Sequence, residues 1–486
     1  MPRSYAIAAA GILALAAALR FATLGAQSFW LDEAVTAQVV TRDLGGVFSS
    51  VWHGESTPPL YYVLAWLWVK PFGNGEVGLR ALSAFLGTLT VAVAFGLGGR
   101  MCGRRAALLA GLLAACSPLL VWYSQEARAY ALLVLLGSLS VLLALRAVDV
   151  PTHGRLLLWG AAAALGLASH YFAVFLVVPE AVWLAARLGW RRAGWALAPP
   201  MAMAAVLAPL ALHQDGDDRA AFIRASSLRL RTGQIGKQWL IGYDAPSERL
   251  LAVVAGLLVL SGLVLLVIEL RRSAPQRVGG PRVVALMSGL VALAVLAPLV
   301  LAVLGADDVL TRNLLGALVP GLCVVGAGYA VGRGAGLLAA GALCGVWLVA
   351  VIGVAGDPAM QRDDWRDAAH AIGPAAAPRA VVVTPGSGRI PAEHYLPGAK
   401  VAAPMAPPVA EIDLLGIARR SPGDTPVPPR PQDVAPPARG FVLAARIEKP
   451  TYTVLRFMAP APARLSSGTL AAHGLGGVPG VVLVQG

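Results

Sequence analysis

The sequence predicts an α-helical polytopic membrane protein of about 11 transmembrane helices, with a small C-terminal α/β domain on the extracytoplasmic side. Three observations predict it. The 486-residue chain is 57% hydrophobic and only 13% charged, with a mean hydropathy of +0.69, whereas a soluble domain carries about 25% charged residues. Apolar segments recur at close to the ~20 residues that cross ~30 Å of hydrocarbon. The linkers between them alternate in charge.

The segments are Ala6 to Leu24, Val77 to Gly99, Ala106 to Val121, Ala129 to Leu145, Leu156 to Ala168 and Phe172 to Ala186. They continue as Ala193 to Leu212, Leu250 to Leu270, Val283 to Leu304, Leu314 to Val331 and Gly334 to Val354. Met1 to Ala26 has the look of a signal peptide, with Arg3 before an apolar run, but the repeated later spans favour an uncleaved first helix.

Orientation follows from the rule that cytoplasmic loops are basic. With Met1 inside, the inner loops carry Arg100, Arg104 and Arg105, then Arg146 and Arg155, then Arg187, Arg191 and Arg192, then Arg271, Arg272, Arg277 and Arg282, then Arg333. The acids Asp32, Glu33, Asp215, Asp217, Asp218, Asp307, Asp308, Asp357, Asp363 and Asp364 fall outside. The segment 58–70 is too short to span and rich in Tyr and Trp, which suits an interfacial helix in a first outer loop, 25–76. A twelfth span there would invert every later loop. The domain boundaries that follow are 1–356 for the membrane part and 357–486 for the outer domain. The latter is Pro-rich, with a short helix at Asp364 to Ile372, strands at Ala380 to Thr384, Phe441 to Ile447, Tyr452 to Phe457 and Val478 to Val484, and a Pro-dense loop at Met405 to Arg439.

A net charge of +13 could suggest nucleic acid as a partner, but the basic residues lie between spans and form no stripe interleaved with aromatics. The four cysteines sit in or beside apolar spans without metal spacing and read as small buried hydrophobes.

The topology collects Asp32, Glu33, Arg80, Glu126, Arg128, His170, Tyr171 and Arg312 on the outer side. Adjacent carboxylates at a lipid boundary are costly to keep, and such groups usually mark a site. Each also has a structural reading. Asp32 and Glu33 could be solvated loop acids, Glu126 and Arg128 an ion pair at a helix end, His170 a helix cap, and Arg80 and Arg312 snorkelling cations. As a site, the arginines suit a lipid-borne phosphate, and a carboxylate suits deprotonation of an attacking hydroxyl. Outside the cytoplasm the activated donor would itself be lipid-linked.

The ordered motifs carry a resemblance. They are Trp30-Leu31-Asp32-Glu33-Ala34, Thr57-Pro58-Pro59-Leu60-Tyr61-Tyr62, Gly78-Leu79-Arg80, Ser117-Pro118 with Tyr123-Ser124-Gln125-Glu126-Ala127-Arg128-Ala129-Tyr130, Ser169-His170-Tyr171, and Asp364-Trp365-Arg366. In this order the chain resembles the GT-C glycosyltransferases of family 39 type, which include protein O-mannosyltransferases and aminoarabinose transferases. The resemblance implies an inverting transfer from a polyprenyl-phosphate sugar donor to an acceptor hydroxyl on a glycan, a lipid-linked glycan or a protein, at the plasma membrane. It assigns Asp32 as base and Glu33 as its helper. Arg80, Glu126, Arg128, Tyr130, His170, Tyr171 and Arg312 become candidates for the sugar and lipid phosphate, and Trp30, Pro58, Pro59, Tyr61 and Tyr62 for the acceptor loop. Asn313 stands where many relatives have an aromatic residue after the late arginine. The resemblance assigns no definite cofactor and leaves a divalent metal open, for which Asp32, Glu33 and Glu126 could supply oxygen ligands. The alternatives are a polytopic transporter or flippase, which would place ionisable groups near the midplane within repeated halves, and a polysaccharide polymerase with late arginines.

Overall fold

Helices fill the first 356 residues: α1 (Arg3–Phe21), α2 (Leu31–Val39), α3 (Leu44–Gly54), α4 (Leu60–Phe72), α5 (Glu76–Cys116), α6 (Pro118–Ser124), α7 (Tyr130–Asp149), α8 (His153–Ser169), α9 (Val174–Leu188), α10 (Trp190–Gly216), α11 (Ala221–Arg224), α12 (Leu228–Ile241), α13 (Glu248–Arg272), α14 (Pro281–Val303), α15 (Leu318–Val331) and α16 (Arg333–Gly356). The structure, a computed structural model, describes residues 3–217, 221–272, 281–418 and 435–486. Asp218, Arg277 and residues 419–434 of the Pro-dense stretch lie outside the described residues.

Nine described helices are long and apolar enough to cross a membrane, and the chain is a multi-pass membrane protein. α5 holds two of the apolar segments read from the sequence. Cys102 and Gly103 leave helical geometry, Gly103 at φ +75°, a conformation that costs glycine little. The two arms then pack directly on each other: a Cβ on Gly98 would lie 2.5 Å from the Ala106 carbonyl oxygen. α8, at 17 residues, is a slightly shorter apolar helix. With α5 counted as two arms, all eleven apolar segments are helical. α4, the expected interfacial segment, is a helix of 13 residues, too short to span.

Packing divides the chain into two units, Met1–Leu24 with Val39–Gly353, and Gly25–Gln38 with Val354–Gly486. In the first, α5 and α15 share a buried core that includes Leu97, Leu109 and Leu113 against Val319, Cys323 and Tyr329. Trp347 of α16 is buried and donates Nε1–H to the Leu240 carbonyl at 2.5 Å. Exposed Leu257, Leu296, Leu338 and Ile352 line α13, α14 and α16, as helices facing hydrocarbon require. The four cysteines are free.

The second unit adds α17 (Trp365–Ile372), α18 (Arg389–Tyr395) and α19 (Ser467–Ala471) to a six-stranded sheet. Its strands are β1 (Arg379–Thr384), β2 (Lys400–Val401), β3 (Val409–Ile417), β4 (Val442–Glu448), β5 (Tyr452–Ala463) and β6 (Val481–Gln485), in the order β2-β6-β1-β3-β5-β4. Among the described strands only β1 and β3 run parallel, joined by a crossover that carries α18. Val381, Val383 and Leu415 pack on Trp365, Ala368 and Ile372 of α17. Val382, Ile412 and Leu414 pack on Phe441, Leu470 and Leu475 on the other face. The expected small α/β domain is present.

One expectation needs correction. Met405 to Arg439 read as loop, but Val409–Ile417 is β3, in the middle of the sheet. Prolines on both sides and two acids within it masked the strand. Glu411 and Asp413 are tolerated because Arg379 of β1 and Arg456 of β5 meet them: Arg379 Nη1 lies 3.3 Å from Glu411 and Arg456 Nε 2.9 Å from Asp413.

The α5 hairpin yields a direct test. Gly98→Leu should destabilise the protein by about 1–3 kcal/mol or more, as overpacking does. Its thermal unfolding in detergent should fall well below that of Leu89→Ala on the exposed side of the same arm. Equal midpoints would show that the arms do not meet at Gly98.

Candidate active site

The polar residues of the first unit are organised by the irregular stretch between α5 and α7. Ser117 ends α5, and Pro118 starts α6 at a position where a missing N–H costs nothing. Arg20 of α1, only 1% exposed, donates to the carbonyl oxygens of Ala114 at 2.9 Å and Ala115 at 3.1 Å, and to Ser124 Oγ at 3.2 Å. It satisfies carbonyls that the end of α5 leaves open. Gln125 Nε2 returns the contact, donating to Leu19 O, Arg20 O and Thr23 Oγ1. The end of α1 is thereby fixed to the α6–α7 turn.

Arg128, three residues on, forms a two-pronged ion pair with Glu55 at the end of α3. Nη1 to Oε1 and Nη2 to Oε2 are both 2.9 Å. Both side chains are buried, and Tyr62 of α4 lies over the guanidinium, 5.6 Å from its ring centre. Tyr62 shares a hydrogen bond with Thr57 at 3.2 Å, and Tyr61 with Ser83 of α5 at 3.0 Å. Pro59 precedes the first residue of α4, so Thr57-Pro58-Pro59 turns the chain directly into these contacts. Arg80, at 1% exposure, donates Nη1–H to the Leu24 carbonyl at 2.8 Å. Glu126 is buried, and its carbonyl accepts from the Arg128 N–H.

A second group forms around the start of α7. His170 ends α8, and its Nδ1 accepts from the Phe172 N–H at 3.2 Å. In the neutral ring Nε2 therefore carries the proton. Its ring lies 5.8 Å from that of Tyr130. Burial pushes its pKa down to about 3, helped by the charges of Arg312 and Arg128. Arg312 opens the turn before α15 and is only partly buried. Its guanidinium sits 5.8 Å from the centre of Tyr130 and 5.7 Å from that of Phe222. The loop before it is pinned by Arg231, which pairs with both oxygens of Asp307 and donates to Val309 O. Asn313 Nδ2 holds the Asp308 carbonyl at 2.7 Å. Tyr171 donates to Gln214 Oε1 at 2.8 Å, and Gln214 to Val51 O of α3 at 3.0 Å.

Thus the structure gathers Arg128, Tyr130, His170, Arg312, Tyr61 and Tyr62 within the first unit. Asp32, Glu33 and Trp30 belong to the second. Asp32 and Glu33 fill the first turn of α2, Asp32 partly exposed and Glu33 fully buried. The Asp32 carbonyl accepts from Thr36 Oγ1 at 3.0 Å. Trp30 Nε1 is buried with no hydrogen-bond partner among the described residues. Sequence reasoning did not find Glu55, Arg20, Gln125 as an anchor, or Phe222. A lone acid at a helix end and an arginine inside an apolar span were the available signals for the first two. Among the described residues no three His, Cys, Asp or Glu side chains come together as a metal site requires.

Two predictions follow from these pairs. Glu55→Gln leaves Arg128 buried without its counter-charge and should cost about 3–5 kcal/mol in thermal unfolding. Glu55→Leu combined with Arg128→Met should recover most of that loss; an unchanged melting point for Glu55→Gln alone would remove the pair from the stability account. For His170, the unfolded chain takes up a proton near pH 6.5 and the folded one only at about 3. Stability should therefore fall as pH drops from ~6.5 toward 3. His170→Gln should flatten that slope in melting curves taken from pH 7 to 4.5.

A family model described as dolichyl-phosphate-mannose-protein mannosyltransferase matches residues 56–213. No curated protein matches the sequence. Among solved structures, ArnT from Cupriavidus metallidurans bound to undecaprenyl phosphate is similar at 18% identity and TM-score 0.43, over 67% of this chain and 60% of that one. The archaeal oligosaccharyltransferase AglB from Archaeoglobus fulgidus, with an inhibitory peptide and a dolichol-phosphate, gives 11% identity and TM-score 0.47, over 76% of this chain and 57% of that one. Arabinosyltransferase EmbB from Mycobacterium smegmatis gives 15% and 0.43, over 68% and 31%. The chain spans three fifths or less of the length of these proteins. Residues 56–213 of this chain are similar to the dolichyl-phosphate-mannose-protein mannosyltransferase family.

Proposed function

We propose that this chain is a membrane glycosyltransferase that moves a sugar from a polyprenyl-phosphate donor to an acceptor hydroxyl at the extracytoplasmic face of the plasma membrane, inverting the anomeric carbon. The observation that carries the reading is Arg312, partly exposed and flanked by Tyr130 and Phe222 beside a neutral His170. A guanidinium with two ring centres 5.8 and 5.7 Å from it suits a phosphate oxygen pair, because its planar fork matches those oxygens better than a freely rotating ammonium would. Arg80 and Arg128 are buried and committed to Leu24 and Glu55, so their work is to shape the pocket. Neutral His170 offers Nε2–H as a donor without adding charge. The family description over 56–213 supports a lipid-phosphate sugar donor.

In this reaction the acceptor oxygen bonds to the sugar's anomeric carbon while its proton passes to the Asp32 carboxylate. The bond from that carbon to the phosphate oxygen breaks, and the phosphate leaves with the electron pair. Asp32 is the partly exposed member of the acid pair and can meet an acceptor, whereas buried Glu33 orients the first turn of α2. Pro58, Pro59, Tyr61 and Tyr62 are the acceptor-loop residues of the first unit, and Trp30 that of the second.

The test is genetic and chemical. Deleting the gene should remove one sugar from the cell-envelope glycans or glycoproteins seen by mass spectrometry. The wild-type gene should restore it. Asp32→Asn should insert normally yet transfer about 10²–10⁴-fold more slowly, the usual worth of a positioned base. Full restoration by Asp32→Asn would remove Asp32 from the mechanism.

A further inference from the structure

The segment leading into α2 is held by the C-terminal domain, residue by residue. Gln27 Oε1 accepts from the Arg362 N–H at 3.1 Å and from Arg362 Nη1 at 3.2 Å. Ser28 Oγ donates to the Asp363 carbonyl at 2.6 Å and accepts from the Trp365 N–H at 3.0 Å. The Phe29 N–H donates to Tyr395 Oη at 2.6 Å, and its buried ring meets the edge of His394 at 5.4 Å. Arg366 Nη2 donates to Gly25 O at 3.1 Å and Ala26 O at 3.0 Å. Asp32 follows three residues after Phe29.

The other end of this linkage is just as firmly held. α17 has no side-chain cap of its own at Asp364, because that carboxyl accepts from Thr451 Oγ1 instead. Ser28 supplies the missing acceptor for Trp365 N–H from across the sequence. At the C-terminal end, Arg379 and Arg456 donate to the Ile372 carbonyl, and Arg379 also to Gly373 O. Those guanidiniums are themselves set by Glu411 and Asp413 of β3. Tyr452 of β5 donates to Asp367 at 2.8 Å. The sheet thus fixes α17, and α17 with α18 fixes residues 25–29.

We propose that the C-terminal domain positions the base. Ser28, Tyr395 and Arg366 are positioning residues that set where the first turn of α2, and so Asp32, stands. This rests on the reading of Asp32 given above. A general base must lie within hydrogen-bond reach of the proton it takes, and a displacement of about 1 Å can cost 10²-fold. Contacts on the main chain of residues 25, 26 and 29, together with the two on the Ser28 hydroxyl, limit such displacement more strictly than apolar packing alone.

The test uses the full-length protein in membranes and three variants: Tyr395→Phe, Ser28→Ala and Ser28→Thr. Hydrogen–deuterium exchange of peptides covering 25–38 reads the tether directly. Envelope sugar restored to the deletion strain after a short induction reads transfer. Tyr395→Phe and Ser28→Ala should speed exchange in 25–38, leave peptides of α5 and α15 unchanged, and slow transfer by about tenfold or more. Ser28→Thr, which keeps the hydroxyl, should recover most of both. Faster exchange with undiminished transfer would overturn the proposal, as would unchanged exchange. Asp32→Asn in the same assay separates the two ideas: its retained transfer defeats the reading of Asp32, whereas its inactivity beside fully active tether variants defeats only the positioning role.

Discussion

The membrane unit depends on the buried pair between Arg128 and Glu55. A guanidinium at this depth is tolerable only with a counter-charge and filled hydrogen bonds, and the two-pronged geometry supplies both. Meeting that demand brings the end of α3 to the α6–α7 turn. Once they meet, Thr57, Tyr61 and Tyr62 have fixed partners. The same turn uses Gln125 and Ser124 to hold α1 through Leu19, Thr23 and Arg20. Helices distant in sequence are joined where their backbone groups would otherwise lack partners.

The second unit solves a related problem with a short helix. α17 has eight residues, too few to be stable alone. Its open N–H and C=O groups are met from outside, by Ser28 at one end and by Arg379 and Arg456 at the other. The motif Asp364-Trp365-Arg366 acquires a physical meaning here. Asp364 faces Thr451, Trp365 fills the core over Gly388, where no Cβ would fit, and Arg366 reaches Gly25 and Ala26.

What could be read in the sequence was local. Apolar length located the nine described helices long and apolar enough to span, with the two arms fused in α5, because hydrocarbon thickness sets a length that a sequence displays. Alternation and turn residues located β1, β4, β5 and β6. β3 escaped because a strand buried on both faces loses its alternation, and its acids look like loop residues until Arg379 and Arg456 are placed beside them. Glu55, Ser28 and Tyr395 escaped for the same reason at longer range. Each is ordinary in its own neighbourhood and acquires its role from a partner 73 to 366 residues away. The motif residues were conspicuous, but several of their jobs are architectural: His170 caps a helix turn and Arg128 closes an ion pair.

That division separates charges enclosed by the fold from charges left partly exposed. A charge that is fully buried and doubly bonded has little left to offer a substrate, since any new bond must break an old one in a low-dielectric setting. Arg20, Arg80, Arg128 and Glu33 fall on that side by burial. Asp32 and Arg312 remain partly exposed, in the first turn of α2 and in the turn before α15. Under the proposed reaction, an acid that takes a proton and a cation that meets a phosphate both need access and a fixed position. In this chain the acid pair divides accordingly: Glu33 is enclosed, and Asp32 is presented.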